Sequence, residues 1–212
     1  MDHQSRPRLR AKKKQRDRLI RLAQTHPDWV LGFQDETWWS RLALPALHAW
    51  TADQPLRLVE QTTSQTDPDP KALCCYGLLR DDTGQMLLRF VQGRPVSQVT
   101  EDFLGWVCQR LAADGKMALL LVWDNASWHI SQRVRTWIKS HNRRVKKEGG
   151  LRLLTCRLPI KSPWLNAIEP KWVHAKKAIA KPEGQLTAAE TQDRVCSYYG
   201  CQLFKPLKQK VA

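Results

Sequence analysis

Residues 117–125 read MALLLVWDN, and no other stretch restricts the fold as tightly. The run is apolar from Met117 to Trp123 and stops at Asp124. A strand that is apolar on both sides is buried on both faces, so it is central and parallel to a neighbour. Parallel neighbours need a crossover, normally a helix, which makes the chain α/β.

The surrounding sequence supplies the rest of such a sheet. Trp29, Val30, Leu31 and Phe33 form a short β-prone run with Asp35 at its end. LCCYGLL and MLLRFV read as two strands joined by RDDTG, which has hairpin-turn chemistry. The polar segment 61–72, punctuated by prolines, reads as an exposed loop. From Ser97 to Ala113 the apolar residues Val99, Phe103, Val107 and Leu111 recur at helical spacing. After the central strand a helix is expected with Ile130, Val134, Trp137 and Ile138 on one face. A basic stretch, KSHNRRVKKEGG, comes before the strand LRLLTCRL. A last long helix carries Ile168, Trp172, Ala175 and Ile179 on one face. No internal repeat is present. The order predicts one mixed sheet of five strands with helices on both faces. A basic arm or linker at 1–28 precedes a main domain at 29–182, and a basic helical tail at 183–212 follows.

Charge narrows the partner. The chain has 35 Lys+Arg against 20 Asp+Glu, a formal +15, which implies a polyanion, most often nucleic acid. Lys12, Lys13 and Lys14 in the arm, Arg143, Arg144, Lys146 and Lys147 in the basic stretch, and Lys161 and Lys171 further on are the candidate phosphate contacts. No run approaches a membrane span, and the charged N-terminus is no secretory signal. The six cysteines show neither a disulfide framework nor zinc-site spacing. They suit a core in a reducing cytoplasm.

Three acids occupy comparable places: Asp35 after the first strand, Asp124 after the central strand, and Glu169 where the last long helix begins. Groups at the carboxyl ends of strands converge on the working crevice of an α/β sheet. Carboxylates meeting there repel one another unless a cation joins them, and hard oxygen donors select Mg2+ or Mn2+. Each acid also has a structural reading: Asp35 caps a turn, Asp124 opens a loop, and Glu169 completes a capping box with Asn166. Pro170 leaves two helix starts open. With Asn166 as the cap, Pro170 costs a hydrogen bond; with Pro170 as the first helical residue, Glu169 is the cap.

The words around these acids, FQDETWW, LLLVWDNASWH and LPIKSPWLNAIEPKW, occur in that order. Together they resemble the catalytic domain of bacterial insertion-sequence transposases of the mariner superfamily, specifically the insertion sequence six-thirty family. The resemblance spans roughly residues 29–180. It implies an RNase H-like fold with Asp35, Asp124 and Glu169 as catalytic, metal-holding residues. It implies two Mg2+ or Mn2+ ions, cleavage of double-stranded DNA at transposon ends, and attack of the freed 3′-hydroxyl on target DNA. Glu36, Asn125, His129 and Asn166 match supporting positions of that family. His129 either contacts DNA or a metal-bound water, or is a packing residue. Ala167 stands where that family has Pro and Lys161 where an aromatic is common. The interval from Asp124 to Glu169 is longer than usual, which implies a basic insertion at HNRRVKKEGG, either an extra DNA contact or a tolerated surface loop.

Too few residues precede the first strand for the helix-turn-helix modules that family carries. The resemblance therefore implies a DNA-binding portion encoded upstream, with a homodimer also among the expected partners, in the bacterial cytoplasm near the nucleoid. The alternative is a repurposed fragment that binds DNA without chemistry. Of ten tryptophans, Trp38, Trp39, Trp128 and Trp164 lie near the acids, either packing there or stacking on an unpaired base.

Overall fold

The computed structural model describes residues 6–42, 66–160, 162–179 and 184–209. Its elements are α1 (Arg6–Thr25), β1 (Trp29–Ser40), β2 (Ala72–Arg80), β3 (Met86–Gln92), α2 (Ser97–Ala113), β4 (Ala118–Trp123), α3 (Ser127–Ile130), α4 (Gln132–Glu148), β5 (Arg152–Arg157), α5 (Glu169–Ile179), α6 (Ala188–Tyr199) and β6 (Leu207–Lys208). A 3-10 turn, Pro163–Leu165, precedes α5.

The strands form one sheet in the order β5-β4-β1-β2-β3-β6. β4 is parallel to both β1 and β5, as its two apolar sides require. Every one of its residues is buried. Leu119, Leu121 and Trp123 join the core under α2 and α4, whereas Leu120 and Val122 join the core under α5 and α6. Helices therefore cover both faces. On the first, Val99, Phe103, Val107 and Leu111 of α2 have no exposed surface. On the second, Ile168, Trp172, Ala175 and Ile179 are buried, and α1 adds Leu19, Ile20, Leu22 and Ala23.

Four expectations need correction. The sheet has six strands rather than five, because β6 adds two residues parallel to β3. So short a strand leaves no period in the sequence; only Leu207 is buried. β1 does not stop at Asp35 but continues to Ser40, since Thr37 and Trp39 keep alternating inward against β2. The stretch expected as an inserted basic loop is helix: α4 runs to Glu148 and ends at Gly149, where φ is 82°. Ile130 lies outside α4, in α3, because Ser131 breaks the helix and caps α4 by accepting from Val134 N–H.

The segment read as a C-terminal tail supplies α6 and β6. α6 starts at a capping box between Thr187 and Glu190 and buries Val195 and Cys196. Buried Arg41, just past β1, ties this region in. It donates to the carbonyls of Pro70 and Leu186 and pairs with Asp67 at 2.5 Å. The loop expected at 61–72 falls partly outside the described residues.

Candidate active site at the strand ends

Register places the acids. Phe33 of β1 is the partner of Val122 of β4. Two residues further, on the same face, stand Asp35 and Asp124. The parallel ladder ends there: β4 stops at Trp123 while β1 goes on against β2. That opening at the carboxyl ends of parallel strands is where an α/β sheet exposes its crevice. Glu169, the first residue of α5, enters from the same face.

The helix start resolves the question raised by Pro170. Trp172 N–H donates to Ile168 O, and Glu169 N–H donates to Asn166 O. Ile168 is therefore the cap, and Pro170 lies in the first turn, where a missing N–H costs nothing. The Asn166–Glu169 capping box does not form. Asn166 instead donates its amide to Gln34 O, pinning the loop before α5 to β1.

The three carboxylates feel one another. Asp35 is pushed up to about 8, first by burial and then by the charges of Glu36, Glu169 and Asp124. Glu169 is raised by burial and by Asp124, with Lys176 opposing. Asp124 is held below the usual range: burial would raise it, but hydrogen bonds from His129 and Ala126 N–H outweigh that. Asp35 and Glu169, which resist losing their protons, gain by exchanging them for a cation. The donor set fits Mg2+ or Mn2+. Among the described residues, no three such side chains close around a common point, so a cation would have to draw the carboxylates together.

Behind the acids lies a buried bridge. The His129 ring is sandwiched by hydrogen bonds, Nδ1 to Asp124 at 2.7 Å and Nε2 to Glu36 at 2.9 Å. It stacks on Trp123 at 4.7 Å. Burial would lower its affinity for a proton, but the charges and hydrogen bonds of Glu36 and Asp124 raise its pKa to about 9. Glu36 also accepts from Gln34 Nε2 and Trp128 Nε1. The structure thus puts Glu36 on the opposite side of β1 from Asp35 and links it to Asp124 through His129. Asn125 donates to Leu158 O at 2.6 Å, tying the loop after β4 to the end of β5. A cavity of about 300 Å³ opens between Asp124 and Glu169, walled by Leu158, Pro159, Ile160 and Pro163.

Two residues not singled out as functional border the acids. Trp172, read only as a core position, donates Nε1–H to Asp35 Oδ2 at 3.2 Å. Gly77, the partner of Asp35 across β2, leaves the space its ring fills. Glycine inside a strand signals such a close approach, and that was the available clue.

The candidate DNA-contacting residues divide. Lys13 and Lys14 are exposed on α1, Arg143, Arg144, Lys146 and Lys147 on α4, and Lys171 on α5. Lys161 and the Lys12 side chain lie outside the described residues. Trp39 is buried, Trp128 is committed to Glu36, and Trp38 and Trp164 are exposed.

Asp35 yields a test of the electrostatics. Its raised pKa means that ionising it costs folded-state stability as pH rises from about 4 through about 8. Asn at this position keeps an acceptor for Trp172 and removes the charge. Asp35→Asn should raise Tm in EDTA by about 5–10 °C at pH 8, with the gain shrinking toward pH 4. Thermal unfolding across that range checks it; a gain independent of pH contradicts the repulsion.

Comparison with known proteins fits this geometry. Residues 31–191 match the family model described as DDE superfamily endonuclease. Among solved structures the chain is similar to Mos1 transposase in its paired-end complex with the left transposon end. The TM-score is 0.63 at 12% identity, covering 95% of this chain and 57% of that one. The Mos1 strand transfer complex gives 0.62 at 11% identity, covering 95% and 56%. The catalytic domain of Mos1 mariner transposase gives 0.57 at 13% identity, covering 95% and 85%. Identities this low speak for the fold alone, which is the RNase H-like fold of transposase catalytic domains. The chain spans little more than half the length of the transposases in those complexes. No curated protein matches, and no helix among the described residues is long and apolar enough to cross a membrane. With a model covering most of its length, the chain belongs to the DDE superfamily endonucleases.

Proposed function

We propose that this chain is the catalytic domain of a DNA transposase, which cuts DNA strands and joins a freed 3′-hydroxyl to a second duplex. One observation carries the proposal: Asp35 and Asp124 follow paired residues on one face where two parallel strands part, and Glu169 enters that face from α5. The family match and the likeness to a transposase solved with transposon ends support it.

Asp35 and Asp124 would hold two Mg2+ or Mn2+ ions, with Glu169 completing one site. When bound, such ions generate a nucleophile at neutral pH and stabilise the leaving oxygen of a phosphodiester. The chain's own residues prepare that place. His129 fixes one oxygen of Asp124, and Trp172 orients Asp35. Asn125 and Asn166 hold the two loops that frame the cavity. The basic side chains of α1 and α4, with Lys161 and Lys171, would hold the DNA backbone. On the motif resemblance, the chain falls in the insertion sequence six-thirty family. A helix-turn-helix portion supplied from upstream would recognise the ends, a homodimer would pair them, and the chain would work at the bacterial nucleoid.

Incubation with supercoiled plasmid and Mn2+ or Mg2+ should produce nicked circles, and EDTA should prevent them. A second reading, a DNA-binding protein without chemistry, draws on the open arrangement of the carboxylates. Plasmid that is bound but never nicked with either ion, together with no heat of Mn2+ binding, would establish it.

A further inference from the structure

The basic residues of α4 are arranged, not merely abundant. Val134, Trp137 and Ile138 turn toward the sheet and α2, and His141 is buried on the same side. Arg135, Lys139, Arg143 and Lys146, spaced by three and four residues, stand on the other side and are exposed. They form a ridge about 16 Å long at 1.5 Å per residue. Among the described residues none of the four is in an ion pair, whereas Arg133, off the ridge, pairs with Glu101 at 2.9 Å. Unpaired like charges at helical neighbour positions destabilise the helix that carries them.

That helix is nevertheless fixed firmly. β5 is the edge of the sheet, and α4 closes that edge. Asn142 donates to Leu153 O at 2.8 Å and accepts from Leu153 N–H at 2.9 Å. This satisfies the backbone pair that would otherwise face solvent. His141 bonds Leu151 O at 2.8 Å and stacks on Trp137. At the other end, α4 starts directly after α3, whose His129 holds Asp124. The ridge therefore starts at the end of α4 that adjoins α3 and runs away from it on a rigid support.

We propose that α4 is a docking ridge for double-stranded DNA, along which the duplex leaves the catalytic cleft. Charge complementarity selects the occupant: four unpaired cations in line, over a length that spans about five base pairs at 3.4 Å each. The ridge contacts phosphates, so it positions the duplex without reading its sequence. The assignment rests on the DNA-acting reading above and adds the path the duplex takes.

Two double variants of equal charge change separate a built ridge from general attraction. Lys139→Glu/Arg143→Glu alters the ridge. Lys205→Glu/Lys208→Glu alters exposed lysines beside β3 and β6, at the opposite edge of the sheet. Binding of a 30-base-pair duplex is measured by fluorescence anisotropy in EDTA over a series of salt concentrations, with Tm confirming folding. The ridge pair should weaken binding at least tenfold and lower the salt slope by about 2, one per lost phosphate contact. The opposite pair should weaken it less than threefold. Equal losses from the two pairs, or equal competition by duplex RNA, overturn the ridge while leaving the catalytic proposal standing. A wild-type chain that binds no duplex overturns both. Lys139→Gln/Arg143→Gln, which loses the same two phosphate contacts without adding negative charge, should lower the slope by about the same 2 and serves if the Glu pair loses Tm.

Discussion

Asp124→Asn should abolish DNA cleavage while leaving the fold intact. One oxygen of Asp124 accepts from His129 Nδ1 at 2.7 Å and from Ala126 N–H at 2.9 Å. The amide oxygen of Asn can take both bonds, so the loop after β4 keeps its shape. The remaining atom of this residue, which lines the cavity with Glu169, changes from an anionic acceptor to an N–H donor. A cation held there loses a ligand and meets a dipole of the wrong sign. Loss of several kcal/mol of metal-borne stabilisation corresponds to a rate lowered by about 10³-fold or more. Tm in EDTA should stay within about 2 °C of wild type, since the change removes repulsion with Glu169 and attraction to His129 together. Nicking rates and thermal unfolding of the same preparation check both halves. Undiminished nicking removes Asp124 from the chemistry, and a collapse in Tm makes it structural.

What could be read beforehand follows from how far each signal reaches along the chain. β4 declared itself because a doubly buried strand must be apolar at every position, and α2 because four residues at one spacing are all buried. The hairpin of β2 and β3 is local, and its turn residues name it. The acids were legible as words, but their convergence was not. It depends on the Phe33–Val122 register, a contact between residues far apart in sequence. The continuation of β1 past Asp35 was hidden because Glu36, Thr37 and Ser40 look like loop residues until β2 pairs with them. The C-terminal half of α4 was hidden for the opposite reason. Lys and Arg are good helix formers, but they mask the sparse inward face of His141 and Val145. His129 could not be assigned from sequence, since its two partners come from β1 and from the loop after β4. It proves to be a buried bridge between carboxylates, a role between the two that the sequence left open.

Gly77→Ala should damage stability and activity together, which no change confined to the carboxylates does. Gly77 has ordinary extended backbone, so what calls for glycine is space. An added methyl would lie 2.4 Å from Trp172 Cη2 and 2.6 Å from Cζ2. The indole cannot step aside, because it is buried and meets Trp39 edge-on at 5.9 Å and Tyr199 at 5.8 Å. Relief therefore requires α5 to lift from the sheet. Overpacking of this kind costs about 1–3 kcal/mol, partly offset by the lower entropy of Ala in the unfolded chain. The displacement also breaks the Trp172 bond to Asp35 and moves Glu169, three residues before Trp172 on the same helix. Small misplacements of reacting groups cost about 10²-fold in rate. Urea unfolding should show a loss of about 2 kcal/mol, and nicking should fall by about that 10²-fold or more. The double variant Gly77→Ala/Trp172→Phe separates the two effects. The smaller ring frees room for the methyl and should restore most of the stability, but it has no N–H for Asp35, so cleavage should stay low. If the double variant recovers both, Trp172 acts at this site only by filling space.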